Sequence, residues 1–261
     1  MIIGIFKELY QYREMIRSMI NRELKGRYKG SVLGVLWSFL NPLLQLLVYT
    51  VVFSFIMRNG IEDYYLFLIV ALIPWIFLSS SVTIGASCIR AQKEMVNKIY
   101  FPREILPIAS VTSQLINMFY AFLVIFGILL ISGKGINLCA LLYLPLIILI
   151  EYSFALGLIF LISALTVYYR DLEYITGILV MAWQFLSPVM YGIDMVPEGM
   201  FRRIFELNPM TPIIINYREI LYYKTAPDGR YLVMGIVHAL AFLLIGFGVF
   251  RKMQKRFSEV L

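Results

Sequence analysis

Histidine occurs once in this chain of 261 residues, as His238, and cysteine twice, as Cys88 and Cys139. One histidine excludes a histidine metal cluster. Both cysteines lie within or at the edge of apolar runs, without a metal-like or redox-like neighbour, and read as small buried hydrophobes. Charge is scarce as well. Asp, Glu, Lys and Arg make up 15% of the residues, where soluble domains carry about 25%. No catalytic triad and no acidic cluster near a membrane face is apparent, so a metal-dependent glycosyltransferase is not indicated. The nearest approach to a phosphate loop, GILLISGKG at 127–135, is one residue too long for G-x-x-x-x-G-K-[ST] and ends in glycine. The expectation is therefore a non-enzymatic chain with no catalytic residue, no metal and no cofactor of its own. If ATP and magnesium are used, another subunit binds them.

What the chain has is hydrophobicity. It is 61% apolar, with a mean hydropathy of +0.80, and reads as an all-α integral membrane protein. Apolar runs fall at 36–57, 65–88, 105–132, 138–167, 175–191 and 232–250, which predicts six transmembrane helices. The N-terminus shows no short apolar core followed by a small-residue cleavage site, so no cleaved signal peptide is expected.

Residues 5–24 differ. Ile5, Leu9, Tyr12, Ile16, Met19 and Ile20 recur at helical spacing, while Lys7, Glu8, Gln11, Arg13, Glu14, Arg17 and Asn21 fill the other face. This predicts an amphipathic helix lying along the membrane surface. Gly26, Gly30 and Gly34 follow as an elbow, so residues 1–35 form one unit and 36–261 the permeation domain.

The net charge of +7 does not point to nucleic acid, because the basic residues cluster at the ends of apolar runs. With both termini cytoplasmic, the inner segments hold 16 of the 23 Lys and Arg residues, as the positive-inside rule requires. The outer segments hold Arg58, Lys134, Arg202, Arg203, Arg218, Lys224 and Arg230.

Two connections are unusual. NKIYFPREILP at 97–107, within the inner loop 89–104, carries charge, aromatics and two prolines, a surface shaped to be gripped. The outer segment 188–231 is too long for a hairpin. Pro188, Pro197, Pro209, Pro212 and Pro227 interrupt it, and EGMFRRIFEL and TPIIINYREILYY can each form a short amphipathic helix. Two short re-entrant helices before the last span, or an ordinary folded loop, both fit. Arg202, Arg203 and Arg218 are cationic donors for an anionic chain there, with the break placed at Asn208-Pro209.

Inside the runs polar groups are few. Glu151 is a pathway or gating residue, or a structural hydrogen bond at a helix junction; His238 reads as structural. Aromatic walls suit the C–H faces of sugars, which makes Tyr49, Phe53, Trp183, Phe185 and Tyr191 candidates for a substrate path.

Five stretches carry a family resemblance across nearly the whole chain: RYKGSVLGVLWSFLNP (27–42), KIYFPREILP (98–107), YYRDLEY (168–174), SPVMY (187–191) and LNPMTPIIINYRE (207–219). In this order they resemble the permease subunits of type-II ABC exporters for polysaccharides, including O-antigen, capsule and teichoic-acid transporters. The resemblance implies a homodimer in a bacterial cytoplasmic membrane bound to two copies of a cytoplasmic ABC ATPase. It implies that Glu94, Lys98, Tyr100, Phe101, Pro102, Arg103 and Glu104 couple to that ATPase, that 188–231 is an outer gate, and that a lipid-linked polymer passes between protomers. The rival expectations are an exporter of drugs or small lipids with the same architecture, and an integral-membrane enzyme of glycan assembly.

Overall fold

The computed structural model describes residues 2–56 and 60–261, with side chains from residue 7 onward except at position 28. Arg58 and the side chain of Ile5, both weighed above, lie outside the described residues. Every regular element among the described residues is helical, as an apolar chain requires when its backbone polar groups must be satisfied within each segment.

Two helices, α1 (Ile2–Gln11) and α2 (Arg13–Tyr28), open the chain. The elbow follows, where Gly30 and Gly34 take φ of +80° and +50°, a region that L side chains rarely adopt. A short turn over Gly34–Leu36 leads into α3 (Trp37–Thr50), which continues as a wider turn over Val51–Ile56. Next come α4 (Tyr64–Ala86), the short α5 (Lys93–Lys98) and α6 (Ile105–Ile131). A four-residue α7 (Leu138–Leu141), capped by the Asn137 side chain, turns the chain into α8 (Leu144–Tyr168). Then follow α9 (Leu172–Phe185), α10 (Met200–Leu207) and α11 (Met210–Arg218), which runs on as a π turn over Glu219–Tyr223. The chain closes with α12 (Gly229–Met253) and α13 (Phe257–Val260).

Five of these stretches are long and apolar enough to cross a membrane: Gly34–Ile56, Tyr64–Ala86, Ile105–Ile131, Leu138–Tyr168 and Gly229–Val260. The fifth predicted span behaves differently. The apolar run at 175–191 becomes the 14-residue α9, about 21 Å against a hydrocarbon core of about 30 Å. Ser187-Pro188 ends the helix, because proline removes a backbone donor and disfavours helix before it.

α4 is the axis of the bundle. Leu66 to Ile73 is buried without interruption, and α3, α6, α8, α9 and α11 all pack on α4. Lipid tails are as apolar as leucine, so close packing and interhelical hydrogen bonds hold such a helix rather than release of water. The most extensive helix contact joins α8 to α12, which run in the same direction. Gly235 faces Ile150, and a methyl group on Gly157 would come within 2.5 Å of Leu243 N. α3 and α9 stand at the other extreme: Leu44, Leu47, Val48, Ile178, Leu179 and Met181 are all exposed.

A second, smaller core gathers Met19 of α2, Val96, Phe101, Ile105, Phe250 and Phe257. The N-terminal helices, the α4–α6 connection and the C-terminal tail therefore share one end of the bundle.

Candidate functional site

At that end the α4–α6 connection forms a knuckle. Its seven predicted coupling residues divide into two sets. Glu94 and Lys98, one helical turn apart on α5, form an exposed ion pair at 3.7 Å, and Tyr100 projects outward beside exposed Ile99. Pro102 is half-buried. Phe101, Arg103 and Glu104 turn inward. Phe101 is buried against the second core. The Arg103 guanidinium donates to the Gln254 carbonyl and to Ser258 Oγ, the latter at 3.3 Å. Glu104 is buried, accepts from Gln254 Nε2 at 2.9 Å and pairs with Arg251 at 3.4 Å. These three hold the knuckle on the C-terminal tail. The exposed side of the knuckle is Glu94, Lys98, Ile99 and Tyr100, beside a cleft of about 660 Å3 lined by Glu8, Tyr100, Arg103, Arg251, Lys252 and Lys255.

Two pairings at this end were not evident from the sequence. Arg90, just before α5, forms an ion pair at 2.8 Å with Glu173, the second residue of α9. Glu173 lies in YYRDLEY, whose Tyr168 hydroxyl donates to the Met253 carbonyl at 2.9 Å. On the other side, α2 docks along α6: Ser113 donates to Glu23 and Arg27 to Gln114 Oε1, both at 2.6 Å. Burial raises the Glu23 carboxyl above its usual value, against the pull of the Ser113 hydrogen bond and of Arg27 and Arg22. An amphipathic periodicity shows which face of α2 is apolar, but not that its polar residues meet polar residues of a span.

At the opposite end the break between α10 and α11 falls at Asn208-Pro209, as expected, and Pro212 sits in the first turn of α11, where proline is tolerated. Asn208 uses its whole amide. Its Nδ2 donates to the Leu186 carbonyl and to Ser187 Oγ, both at 2.9 Å. Its Oδ1 accepts from Trp183 Nε1 at 2.9 Å and from Met210 N at 3.0 Å. The break is thus fastened to the buried turn around Pro188.

α10 and α11 are unlike each other. α10 exposes Met200, Phe201, Ile204 and Leu207, whereas Met210–Ile214 and Asn216–Arg218 of α11 are buried. Tyr217 donates to Glu151 Oε2 at 2.7 Å. Glu151 lies seven residues into α8, so α11 reaches about 10 Å below the end of that helix. Glu151 Oε1 and the Asn216 amide find no hydrogen-bond partner among the described residues.

Two of the three predicted outer cations, Arg202 and Arg218, are not the free donors that their sequence positions suggested. Arg218 is buried, stacks 3.6 Å from the Phe67 ring centroid and donates to the carbonyls of Val189 at 2.7 Å and Tyr191 at 3.0 Å. It closes the SPVMY turn onto α4. Arg202 pairs with Asp194 at 3.3 Å and Glu206 at 3.6 Å, and Glu206 also holds Arg230 at 3.1 Å. Arg203 is exposed. Over 192–231 five basic residues meet five acids, so the segment has no net charge with which to attract an anionic chain.

The aromatic path candidates scatter. Trp183 packs inward, its ring edge-on to Trp75 at 5.9 Å and to Phe154 at 6.1 Å. It braces α9 against α4 and α8, and Glu151 is likewise buried within the bundle. Tyr49 lies 3.4 Å from Gln184 Nε2, bridging α3 and α9. Phe53 leans on Tyr64, Tyr191 donates to the Phe185 carbonyl at 2.7 Å, and the Phe185 ring is exposed. Among the described residues no cluster of His, Cys, Asp and Glu has the make-up of a metal site.

The comparisons with known proteins cover nearly the whole chain. The O-antigen export system permease protein RfbA of Myxococcus xanthus is 34% identical over 259 residues, 99% of each chain. The protein of that name from Klebsiella pneumoniae is 32% identical over 248 residues, 95% of each. The polysialic acid transport protein KpsM of Escherichia coli is 23% identical over 248 residues, 92% of this chain and 93% of its own. Residues 14–222, which include the knuckle, α9 and the α10–α11 break, match the family described as ABC-2 type transporter; the chain belongs to that family.

Proposed function

We propose that this chain is the membrane-spanning permease subunit of an ATP-driven exporter that carries a lipid-linked cell-surface polysaccharide across a bacterial cytoplasmic membrane. The observation that carries this reading is the end-to-end similarity to O-antigen export permeases, joined to a knuckle whose exposed side is left for a partner. Two copies of the chain pair, and each binds one copy of a cytoplasmic ABC ATPase through Glu94, Lys98, Ile99 and Tyr100. The distribution of Lys and Arg supports the termini end as cytoplasmic. α1 and α2 are the interface helix, and α9 with the turn that follows completes a fifth of six crossings. α10 and α11 re-enter from the outer side.

The contacts suggest how a stroke is transmitted. Binding and hydrolysis of ATP by the partner move the knuckle. Arg90 passes the displacement to Glu173 at the near end of α9. At its far end, Trp183 holds Asn208, so the break between the gate helices follows. α9 acts as a strut between motor and gate, and its sparse packing leaves it free to shift. The polymer passes along exposed α3 and α9 faces, where Tyr49 and Phe185 lie.

The test is deletion and complementation. Cells lacking the gene lose surface polysaccharide and accumulate lipid-linked polymer inside, and the chain purifies with an ATPase. Unchanged surface polymer in the deletion, with export of a drug or small lipid lost instead, overturns the reading.

A further inference from the structure

One acid inside the bundle is used by neither the strut nor the α10–α11 break. Glu151 is fully buried, seven residues into α8, and Tyr217 of α11 donates to its Oε2 at 2.7 Å. Its Oε1 has no hydrogen-bond partner among the described residues, and neither has the buried amide of Asn216, next to Tyr217 on α11. α12 closes the same junction. A methyl group on buried Gly235 would lie 3.4 Å from Ile150 Cγ2 and 3.9 Å from Asn216 Nδ2. Three helices therefore meet around a carboxyl and a carboxamide, where polar groups removed from water destabilise the fold unless they are bonded.

The elements packed on α8 bring no cation to this carboxyl. α11 carries Tyr217 and Arg218, and the Arg218 guanidinium is taken up by the Val189 and Tyr191 carbonyls. α12 carries His238, with Arg230 and Tyr231 in its first turn and Arg251 and Lys252 in its last. α4 has Tyr64 and Tyr65 in its first turn, α6 has Tyr120, α9 has Glu173 and Tyr174 in its first turn, and α13 has Glu259. On α8 itself, Tyr152 is bonded to Thr112 and Tyr168 to the Met253 carbonyl. Among all these described groups, Tyr217 alone is bonded to Glu151.

An ionised carboxylate buried without a cation is strongly destabilising, so Glu151 carries its proton while α11 is seated. Glutamine would accept from Tyr217 equally well. An acid at this place has a use of its own only if the proton comes off.

We infer that Glu151 is a proton latch for the gate: α11 seats on the neutral carboxyl and lifts from the carboxylate. When α11 rises, water from the outer side reaches the carboxyl. The O–H proton passes to that water, and the carboxylate left behind is hydrated. Reseating takes one proton back from the same side, so no proton crosses the membrane. Raising the pH draws the proton off and favours the lifted helix. The inference rests on the export function and orientation proposed above. It makes Glu151 a positioning residue of the gate, acting through Tyr217.

The experiment uses the permease with its ATPase in proteoliposomes, with the pH equal on both faces, and has two readouts. The infrared band of a protonated carboxyl in dry surroundings is present in the parent, absent from Glu151→Gln and shifted in Tyr217→Phe, which deletes the bonded hydroxyl. Resting leak of a small sugar rises several-fold in the parent between about pH 6 and about pH 8. In Glu151→Gln the leak is the same at both, while Tyr217→Phe, which keeps the acid, keeps the rise. Thermal unfolding shows whether each variant is folded; if Glu151→Gln is not, a carboxyl band unmoved in Tyr217→Phe overturns the inference. A parent spectrum without a Glu151-dependent band overturns it as well, and so does a leak whose pH dependence survives in Glu151→Gln or is missing from the parent. Polymer export by the parent chain is scored separately in cells. Export with a Glu151-independent leak sinks the latch alone, whereas a Glu151-dependent band and leak without polymer export sinks the transport reading alone.

Discussion

Glu173 and Trp183 stand at opposite ends of the same helix, ten residues and about 15 Å apart. Each is bonded to a different connection of the chain: Glu173 to Arg90 just before α5 and Trp183 to Asn208 at the α10–α11 break.

Breaking the first of these bonds uncouples without unfolding. In Glu173→Gln the pair, about one-third exposed on each side, loses its charge. A partly exposed pair contributes only about 1 kcal/mol, so thermal stability changes little. Export falls several-fold while ATP hydrolysis by the complex continues. The exchanged double variant, Arg90→Glu with Glu173→Arg, recovers part of the export. Surface polymer and phosphate release, measured together, decide it; loss of both in equal measure would mean that the pair is only a structural clasp.

Asn208→Ala removes four hydrogen bonds at the α10–α11 break. With each worth about 1 kcal/mol net, the break loosens by a few kcal/mol. The resting membrane should leak small sugars, with the permease still bound to its ATPase. Asn208→Asp, which keeps both acceptor roles, leaks less. A tight membrane in the alanine variant makes this segment an ordinary loop.

The knuckle and the gate segment were legible in the sequence because proline and charge stand out against apolar runs. Pro102 and Pro209 mark real breaks for a local reason. The direction of each side chain was not legible. Arg103 and Glu104 read as partner-facing until Gln254, 150 residues further on, is seen to receive them. Arg218 reads as a free cation because the carbonyls it satisfies, at Val189 and Tyr191, carry no sequence signal. The fifth apolar run looked long enough to span because hydropathy counts Leu186 to Tyr191, whereas Pro188 takes that stretch out of the helix. Tyr217, the hydrogen-bond partner of Glu151, carries no signal in the sequence, since an aromatic inside an apolar segment looks like packing.

The two faces of the knuckle separate by mutation. Tyr100→Ala weakens co-purification of the ATPase several-fold and leaves the unfolding temperature of the isolated permease unchanged. Arg103→Glu brings a carboxylate against the Gln254 carbonyl and Glu104, so it lowers that temperature by several degrees and frees the C-terminal tail to proteolysis. Co-purification yield and thermal unfolding of both variants check this, and the reverse pattern would exchange the roles of the two faces.

Docking of α2 on α6 depends on pH through Glu23. Its carboxyl is raised by burial, so the docked form holds the proton more tightly than the undocked form. The contribution is fully present below the usual value of 4.5 and is lost as pH rises through the raised, docked value. A spin label at position 19 becomes more mobile as pH is raised from below 4.5, and Glu23→Gln abolishes the change. A label equally immobile throughout in the parent chain would show that burial of this carboxyl carries no such cost.

α8 and α12 touch backbone to backbone at Gly157, Phe242 and Leu243, with no side chain between them at that point. Two rods joined in this way have no room to slide, since any shear would drive one main chain into the other. Any movement of the bundle that spares this seam must take place elsewhere, as at α3 and α9, whose outward apolar faces are exposed. A single methyl group at position 157 would wedge the two rods apart and split the frame.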